Sequence, residues 1–298
     1  MPERPRSRET PLPARRGSPA ISLLARAQRS HSALAFPKRE SMVAPVRKVF
    51  AIGIGTGNPE HVTVQAIKAL NRVDVVFLLD KGSEKAELSR ARREICERYI
   101  EGAYRVVKLK DSVRDPSVAS YEARVEAWHE RRLLAYEEAF AAELEQDGCG
   151  AILVWGDPSL YDSTLRVLEG LRERGQLAFE YEVIPGISSP QVLAAEHKIT
   201  LNRIGGAVHV TTGRRLSEGF PADADDVLVM LDGEHAFAEL DAQGLDIYWG
   251  AYLGTEHQLL IAGPLAERKD EIGRVRSAAR AEHGWIMDTY LLRKRKPR

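Results

Sequence analysis

Between residues 46 and 198 the apolar positions fall mostly in short unbroken runs, not in strict alternation with polar ones. Val49-Phe50-Ala51-Ile52, Val73 to Leu79 (interrupted only by Asp74) and Ala151-Ile152-Leu153-Val154 all lack a solvent-facing register. A strand with no polar face has both faces covered, as in parallel sheets flanked by helices. Helix-period segments lie between the runs. Thr63 to Leu70 carries Val64, Ile67 and Leu70 at helical spacing, with Thr63 placed to cap the first turn. Two long charged stretches, 84–100 and 117–146, also read as helices, the second stopped by Gly148. Tyr104–Leu109 reads as a strand between them. A helix ending near Arg174, a strand at Phe179–Ile184 and a helix at 190–197 complete this half. Strand–loop–helix–strand succession predicts an α/β fold with a parallel sheet.

After about residue 199 the runs shorten and crowd together, at 207–212, 226–231, 246–251, 258–262 and 285–292. This pattern predicts a second, more sheet-rich α/β domain with few helices. The expected organisation is a tail over 1–45, an N-terminal α/β domain over 46–198 and a C-terminal α/β domain over 199–298. No internal repeat is visible.

Composition changes this picture mainly at the N-terminus. The 298 residues carry 43 basic and 43 acidic side chains, so no whole-molecule field draws the chain to nucleic acid or membrane. Residues 1–45 nevertheless hold nine Lys or Arg against three Glu, with many Ser and Pro and no Asp. Such a segment buries too little apolar surface to order itself, and disorder is expected there. Met42 lies just before the first strand, which leaves an upstream-start artefact and a genuine flexible tail both open. The remainder is net acidic. No apolar run approaches the roughly 20 residues of a membrane span. The two cysteines, Cys96 and Cys149, lack metal-ligand spacing; a reducing cytoplasm is expected, and no metal site.

The candidate chemistry lies in three loops. Gly53-Ile54-Gly55-Thr56-Gly57-Asn58-Pro59, Trp155-Gly156-Asp157-Pro158-Ser159-Leu160-Tyr161 and Pro185-Gly186-Ile187-Ser188-Ser189 each follow an apolar strand and precede a helix. In a parallel sheet such loops gather on the carboxyl edge, where ligands bind. Singly each is a turn signal. The first suggests a nicotinamide-dinucleotide loop, and a nucleotide-binding oxidoreductase is the alternative from another class. However, Asn58 stands where that fingerprint needs its third glycine, and Pro59 delays the helix.

Together, and in this order, the three loops resemble those of the tetrapyrrole methylases. Val229-Met230-Leu231 and Leu253-Gly254-Thr255-Glu256-His257-Gln258 extend the resemblance over residues 46 to about 292. The family implies two α/β domains with S-adenosylmethionine folded into the cleft between them, and S-adenosylhomocysteine as product. Carried over by motif position, Thr56 belongs to the cofactor loop, and Trp155, Gly156 and Asp157 approach the methionine part. Ser188 and Ser189 follow from the third loop, and Met230, Leu253 and Pro264 lie by the adenosine. The loops offer N–H donors for a carboxylate and acceptors for an ammonium, as a zwitterionic cofactor requires.

Basic positions after Asp80, and His283 to Tyr290, look like those of deacetylating members of the family. That likeness implies a cytoplasmic homodimer that methylates C1 of precorrin-5 and releases acetate. Gly55, Lys81, Arg90, Arg93 and Arg98 are the candidate substrate contacts, because arginine pairs bidentately with tetrapyrrole carboxylates. The bland alternative makes these arginines a solvated helix face paired with neighbouring Glu. Loss of acetyl needs a general base for water, for which His129, Asp80, Tyr161 and Asp162 are the candidates. A different precorrin, uroporphyrinogen, diphthine or ribosomal RNA remain alternative substrates within the fold class, the last disfavoured by the acidic body.

Overall fold

The computed structural model describes residues 46–80, 86–110 and 120–295. The expected tail over 1–45 and the candidate Lys81 lie outside these residues. The elements in chain order are β1 (Arg47–Gly53), α1 (Val64–Leu70), β2 (Val75–Asp80), α2 (Ala86–Tyr99), β3 (Arg105–Lys110), α3 (Tyr121–Glu143) and β4 (Cys149–Val154). There follow α4 (Thr164–Arg174), β5 (Phe179–Ile184), α5 (Ser189–His197), β6 (Val208–Thr212), α6 (Gly213–Leu216) and β7 (Asp226–Met230). The chain ends through β8 (Leu245–Ala251), β9 (Leu259–Pro264), α7 (Leu265–His283) and β10 (Asp288–Lys294).

The first sheet is all parallel, in the order β3-β2-β4-β1-β5. Strand β1, paired on both sides by β4 and β5, explains the unbroken apolar runs. Val49 and Ala51 pack with Phe140, Leu168 and Leu171 of α3 and α4. Phe50 and Ile52 pack on the opposite side with Ala66, Leu70 and Ile95 of α1 and α2. Each fully buried Val, Leu, Ile or Phe among them contributes about 1.5–3 kcal/mol. Thr63 caps α1 as expected, its hydroxyl accepting from Ala66 N at 3.1 Å. Pro59 also acts as read: it opens a short 3-10 turn at Pro59–His61 and holds α1 back to Val64.

Two features of this sheet position the candidate site. The chain leaves β1 toward β2 on one side and leaves β4 toward β5 on the other, yet β1 and β4 are neighbours. Their loops therefore diverge from a topological switch point, the crevice where ligands bind in open α/β sheets. In addition, β2 pairs with β4 only as far as Phe77↔Ile152, while it pairs with β3 out to Asp80↔Lys110. A gap opens between β2 and β4 at their carboxyl ends.

The second sheet is mixed, in the order β6-β7-β10-β8-β9, with β10 antiparallel to both neighbours. On one face α7 covers Val229, Ile247, Trp249 and Tyr290. On the other, Val192 and Leu193 of α5 pack on Leu228 and Leu291. The helix expected to close the first half thus packs on the second sheet.

The 19-residue α7 answers to no expected helix. Its buried positions are Leu265, Ile272, Arg276 and Ala279, so an arginine interrupts the apolar stripe. The last strand starts at Asp288, three residues later than its apolar signal. Trp285 and Ile286 supply that signal from the preceding loop, where they pack against the core.

Candidate active site

The three glycine loops meet backbone to backbone at the switch point. Gly55 and Gly156 form an antiparallel bridge, with Gly156 N donating to Gly55 O at 2.7 Å. A Cβ on Gly186 would lie 2.1 Å from the Gly156 carbonyl oxygen, and one on Gly53 would lie 2.6 Å from Gly186 N. Only glycine permits chains to approach this closely. Asp157 ties the second loop to the third: its carboxylate accepts from Gly186 N and Ser159 N, each at 2.8 Å, and from the Ser159 hydroxyl. Partial burial opposes its charge, yet these donors hold the carboxyl below its ordinary range. Ser188 is buried beside Gly156, and Ser189 begins α5.

The first loop docks on the second sheet. Thr56 is buried and its hydroxyl lies 3.2 Å from His61 Nδ1. Gly254 passes over it so closely that a Cβ there would lie 2.6 Å from the Thr56 hydroxyl. Both Thr56 and Gly55 are thus engaged in assembling the loops. Burial lowers the His61 pKa, against the opposing pull of Glu196 and Glu60. Beside this contact is a cavity of about 300 Å³, lined by Gly57, Arg90 and Trp155 on one side and by Tyr252, Trp285 and Met287 on the other. That size lies at the lower end of small-ligand pockets.

On the facing edge, Met230 ends β7, and register aligns it with Thr289 and Gly250. Leu231 follows with φ of 54°, and its side chain is 64% exposed. Tyr161 and Tyr252 are likewise left-handed. Non-glycine residues adopt this conformation at a cost of about 1–3 kcal/mol and concentrate at functional sites.

A buried network holds the turn after Met230. The Asp232 carboxylate accepts from Ala236 N at 2.9 Å and the Tyr290 hydroxyl at 2.6 Å. Arg276 donates to the Asp232 carbonyl at 2.8 Å, to Asp288 Oδ2 at 2.9 Å and to His235. Burial, then the Arg276 charge, lowers the His235 pKa, which suits a neutral ring accepting from a guanidinium.

The two other adenosine-side candidates lie apart from each other. Leu253 lies at this edge, but its side chain is buried among Leu193, Leu228 and Leu291. Pro264 pairs with Asp246 at the opposite end of the sheet, whereas Leu259 pairs with Ala251 at the cleft edge. The Gly-Pro motif marks the junction of β9 with α7, and an apolar strand read without its register does not reveal which end faces the cleft.

Residues 48–268 match the profile of the Tetrapyrrole (Corrin/Porphyrin) Methylases. The chain belongs to this family. It is 52% identical to a precorrin-6A synthase [deacetylating] from Sinorhizobium sp. over 252 residues, covering 84% of this chain and 97% of that relative. It is also similar to the crystal structure of a cobalamin synthesis related protein from Corynebacterium diphtheriae. That likeness has a TM-score of 0.74 and 41% identity, over 84% of this chain and all of the other. A uroporphyrin-III C-methyltransferase from Thermus thermophilus, solved with S-adenyl homocysteine, shares the fold at 18% identity. Its TM-score is 0.51, over 82% of this chain and 91% of that one.

The remaining candidates of this methylase are scattered. Arg90 lines the 300 Å³ cavity and lies 3.5 Å from Glu256, both well exposed. Arg98 pairs with Glu60 at 3.8 Å and stacks on Tyr99, while Arg93 is exposed. Arg90 and Arg98 thus each reach an acidic residue on another segment, Glu256 and Glu60. Asp80 ends β2. His129 lies three residues before Arg132 on α3, its ring 4.8 Å from that of Trp128. Burial raises the Tyr161 pKa, so its phenol keeps its proton at neutral pH and is able to donate a hydrogen bond. Asp162 Oδ1 accepts from Thr164 N at 2.7 Å.

Two residues went unselected. Arg92 and Arg132 turn inward from α2 and α3 toward the gap between β2 and β4. The signal was present: each occupies an apolar-face position, with Leu88 and Ile95 flanking Arg92, and Tyr136 and Phe140 following Arg132.

Proposed function

We propose that this chain is an S-adenosylmethionine-dependent C-methyltransferase, a precorrin-6A synthase (deacetylating), which converts precorrin-5 to precorrin-6A with release of acetate. The observation that carries this reading is the 52% identity running along 97% of a relative with that activity. The residues present suit the cofactor. At the cleft edge Met230 and the exposed Leu231 offer apolar surface for a nucleoside, and Ser188 and Ser189 offer hydroxyls beside Gly156. Gly156, at φ of 72°, meets nothing nearer than 3.5 Å on its Cβ side. Gly156, Ser188, Ser189, Met230 and Leu231 would hold the cofactor; Asp157 fixes the second and third loops, and the Asp232 network fixes the turn after Met230.

When bound, the sulfonium supplies an activated methyl group, so the protein's contribution is to orient the ring carbon and exclude water. Tyr161 serves as a hydrogen-bond donor toward the acetyl oxygen, and the adjacent Asp162 accepts a proton from the attacking water. A homodimer in the cytoplasm belongs to the same reading; light scattering on the purified chain tests the dimer.

The direct test is incubation with precorrin-5 and methyl-labelled cofactor, followed for methyl incorporation and released acetate. Stoichiometric acetate and methyl transfer are expected. Methyl transfer without acetate would leave a tetrapyrrole methylase of different substrate, and Asp162→Asn should depress acetate release more than methylation.

A further inference from the structure

The three glycine loops and the loop after β8 form a closed circuit, and one side chain completes it. Gly156 N donates to Gly55 O at 2.7 Å and Asp157 accepts from Gly186 N at 2.8 Å, so the three loops are joined in series. From the first loop, Thr56 and His61 both abut Gly254: a Cβ there would lie 2.6 Å from the Thr56 hydroxyl and 3.0 Å from His61 Cε1. From the third loop the chain passes through Ser188 straight into α5, which carries Glu196 two turns after Ser189, about 10 Å along the helix axis. The interval left open, between Gly254 and Glu196, is spanned by Gln258. Its Oε1 accepts from Gly254 N at 2.8 Å, and its Nε2 donates to Glu196 Oε2 at 2.8 Å.

The chemistry of that interval selects an amide. One end presents an N–H and the other a carboxylate, so the side chain between them must accept on one atom and donate from the next, which an ionised acid does not do. The turn that carries Gln258 is also held by its own backbone and by Thr255, whose hydroxyl donates to Tyr252 O at 2.8 Å and whose carbonyl accepts from Gln258 N at 3.2 Å. Glu196 bears on the first loop as well, since its charge opposes the burial that lowers the His61 pKa. The helix between them straddles both halves of the molecule. Its amino end belongs to the third loop, while Val192 and Leu193 pack on Leu228 and Leu291 and His197 Nε2 lies 3.0 Å from Trp249 O.

We infer that Gln258 and Glu196 are positioning residues that fix α5, and with it the Ser188 and Ser189 hydroxyls, relative to the first loop. On the proposed function those hydroxyls face the cofactor, and the inference rests on that reading. Gln258 is half-buried and Glu196 exposed, so their bond adds little to global stability. Its effect is on ligand affinity, through the population of the assembled arrangement.

The test is an isosteric exchange in the full chain, with S-adenosylhomocysteine as probe. Gln258→Glu keeps an acceptor for Gly254 N but sets a second carboxylate against Glu196. Affinity by calorimetric titration at neutral pH should fall about fivefold, the scale of one charge-assisted hydrogen bond discounted for exposure, with Tm nearly unchanged. Glu196→Gln keeps a carbonyl acceptor for Gln258 and should lose less. Glu196→Gln combined with Gln258→Glu reverses donor and acceptor across the same gap, and should restore affinity to within about twofold of wild type. A purely structural bond would lower Tm and leave affinity alone. Wild-type affinity in Gln258→Glu, or no recovery in the double variant, would overturn the inference.

Hydrogen exchange on the ligand-free chains separates this inference from the proposed function. Amides of the third loop and the start of α5 should exchange faster in Gln258→Glu and recover in the double variant. That pattern without any S-adenosylhomocysteine binding by wild type would overturn the proposed function alone. Equal exchange in all the chains, with wild type binding the ligand, would overturn the inference alone.

Discussion

Replacing Asp157 with alanine probes how the loops are held together. The change removes the acceptor for Gly186 N and for both donors of Ser159. A hydrogen bond to a charged group contributes about 1.5–3 kcal/mol when enclosed. Asp157 is only half-buried, and the Ser159 bonds are local enough to be replaced by water, so the discounted loss is about 2 kcal/mol. For a domain of this size that corresponds to a fall in Tm of roughly 4–8 °C. Because the lost bond is the tie between the second and third loops, S-adenosylhomocysteine affinity should fall about tenfold as the assembled arrangement is depopulated. Asp157→Asn keeps one carbonyl acceptor and should fall between the two. The pH dependence has a definite sign. The folded carboxyl titrates below its ordinary value, so its contribution is complete above about pH 4 and lost as pH falls through the folded pKa. Differential scanning calorimetry at pH 7 and well below pH 4, with calorimetric titration of the ligand at pH 7, measures each quantity. A variant with wild-type Tm and wild-type ligand affinity would refute this account of the loops.

Gly186→Ala forces a methyl group onto the Gly156 carbonyl and should abolish S-adenosylhomocysteine binding with a loss of at least about 1–3 kcal/mol; binding within threefold of wild type would contradict the close approach. Arg276→Ala strands Asp288 in the interior and should cost about 3–5 kcal/mol by urea unfolding; a loss under 1 kcal/mol would show the pair to be dispensable. His61 has a folded pKa below the ordinary imidazole value of about 6.5, so the unfolded chain binds more protons and stability should decline as pH drops below that value. A His61→Gln variant should have a shallower stability–pH slope there, and an identical slope would exclude His61 as the cause. Arg93→Ala and Arg98→Ala should leave the precorrin-5 KM near wild type, since Arg93 is exposed and Arg98 faces Glu60; a tenfold rise in either would return α2's outer face to the site.

Local chemistry carried much of this protein in one dimension. Unbroken apolar runs such as Val49–Ile52 determine strands covered on both faces, because no residue in them tolerates water. Thr63 and Pro59 set where α1 begins through a side-chain cap and a fixed backbone angle, both properties of a few adjacent residues. The three glycine loops were legible for the same reason, and their order pointed to the family. Tertiary structure decided what those loop residues do. Asp157 binds another loop because β4, β1 and β5 are neighbours in space, and strand order is a long-range property that no local pattern encodes. Register alone put Pro264 at the far end of the second sheet. The helix α7 escaped notice because a buried arginine interrupts its stripe. Its partners Asp232, His235 and Asp288 come from two other segments, so the charge becomes tolerable only once the chain has folded. Arg92 and Arg132 follow the same logic: each breaks an apolar face locally, and only the parting of β2 from β4 gives the two charges a common cavity.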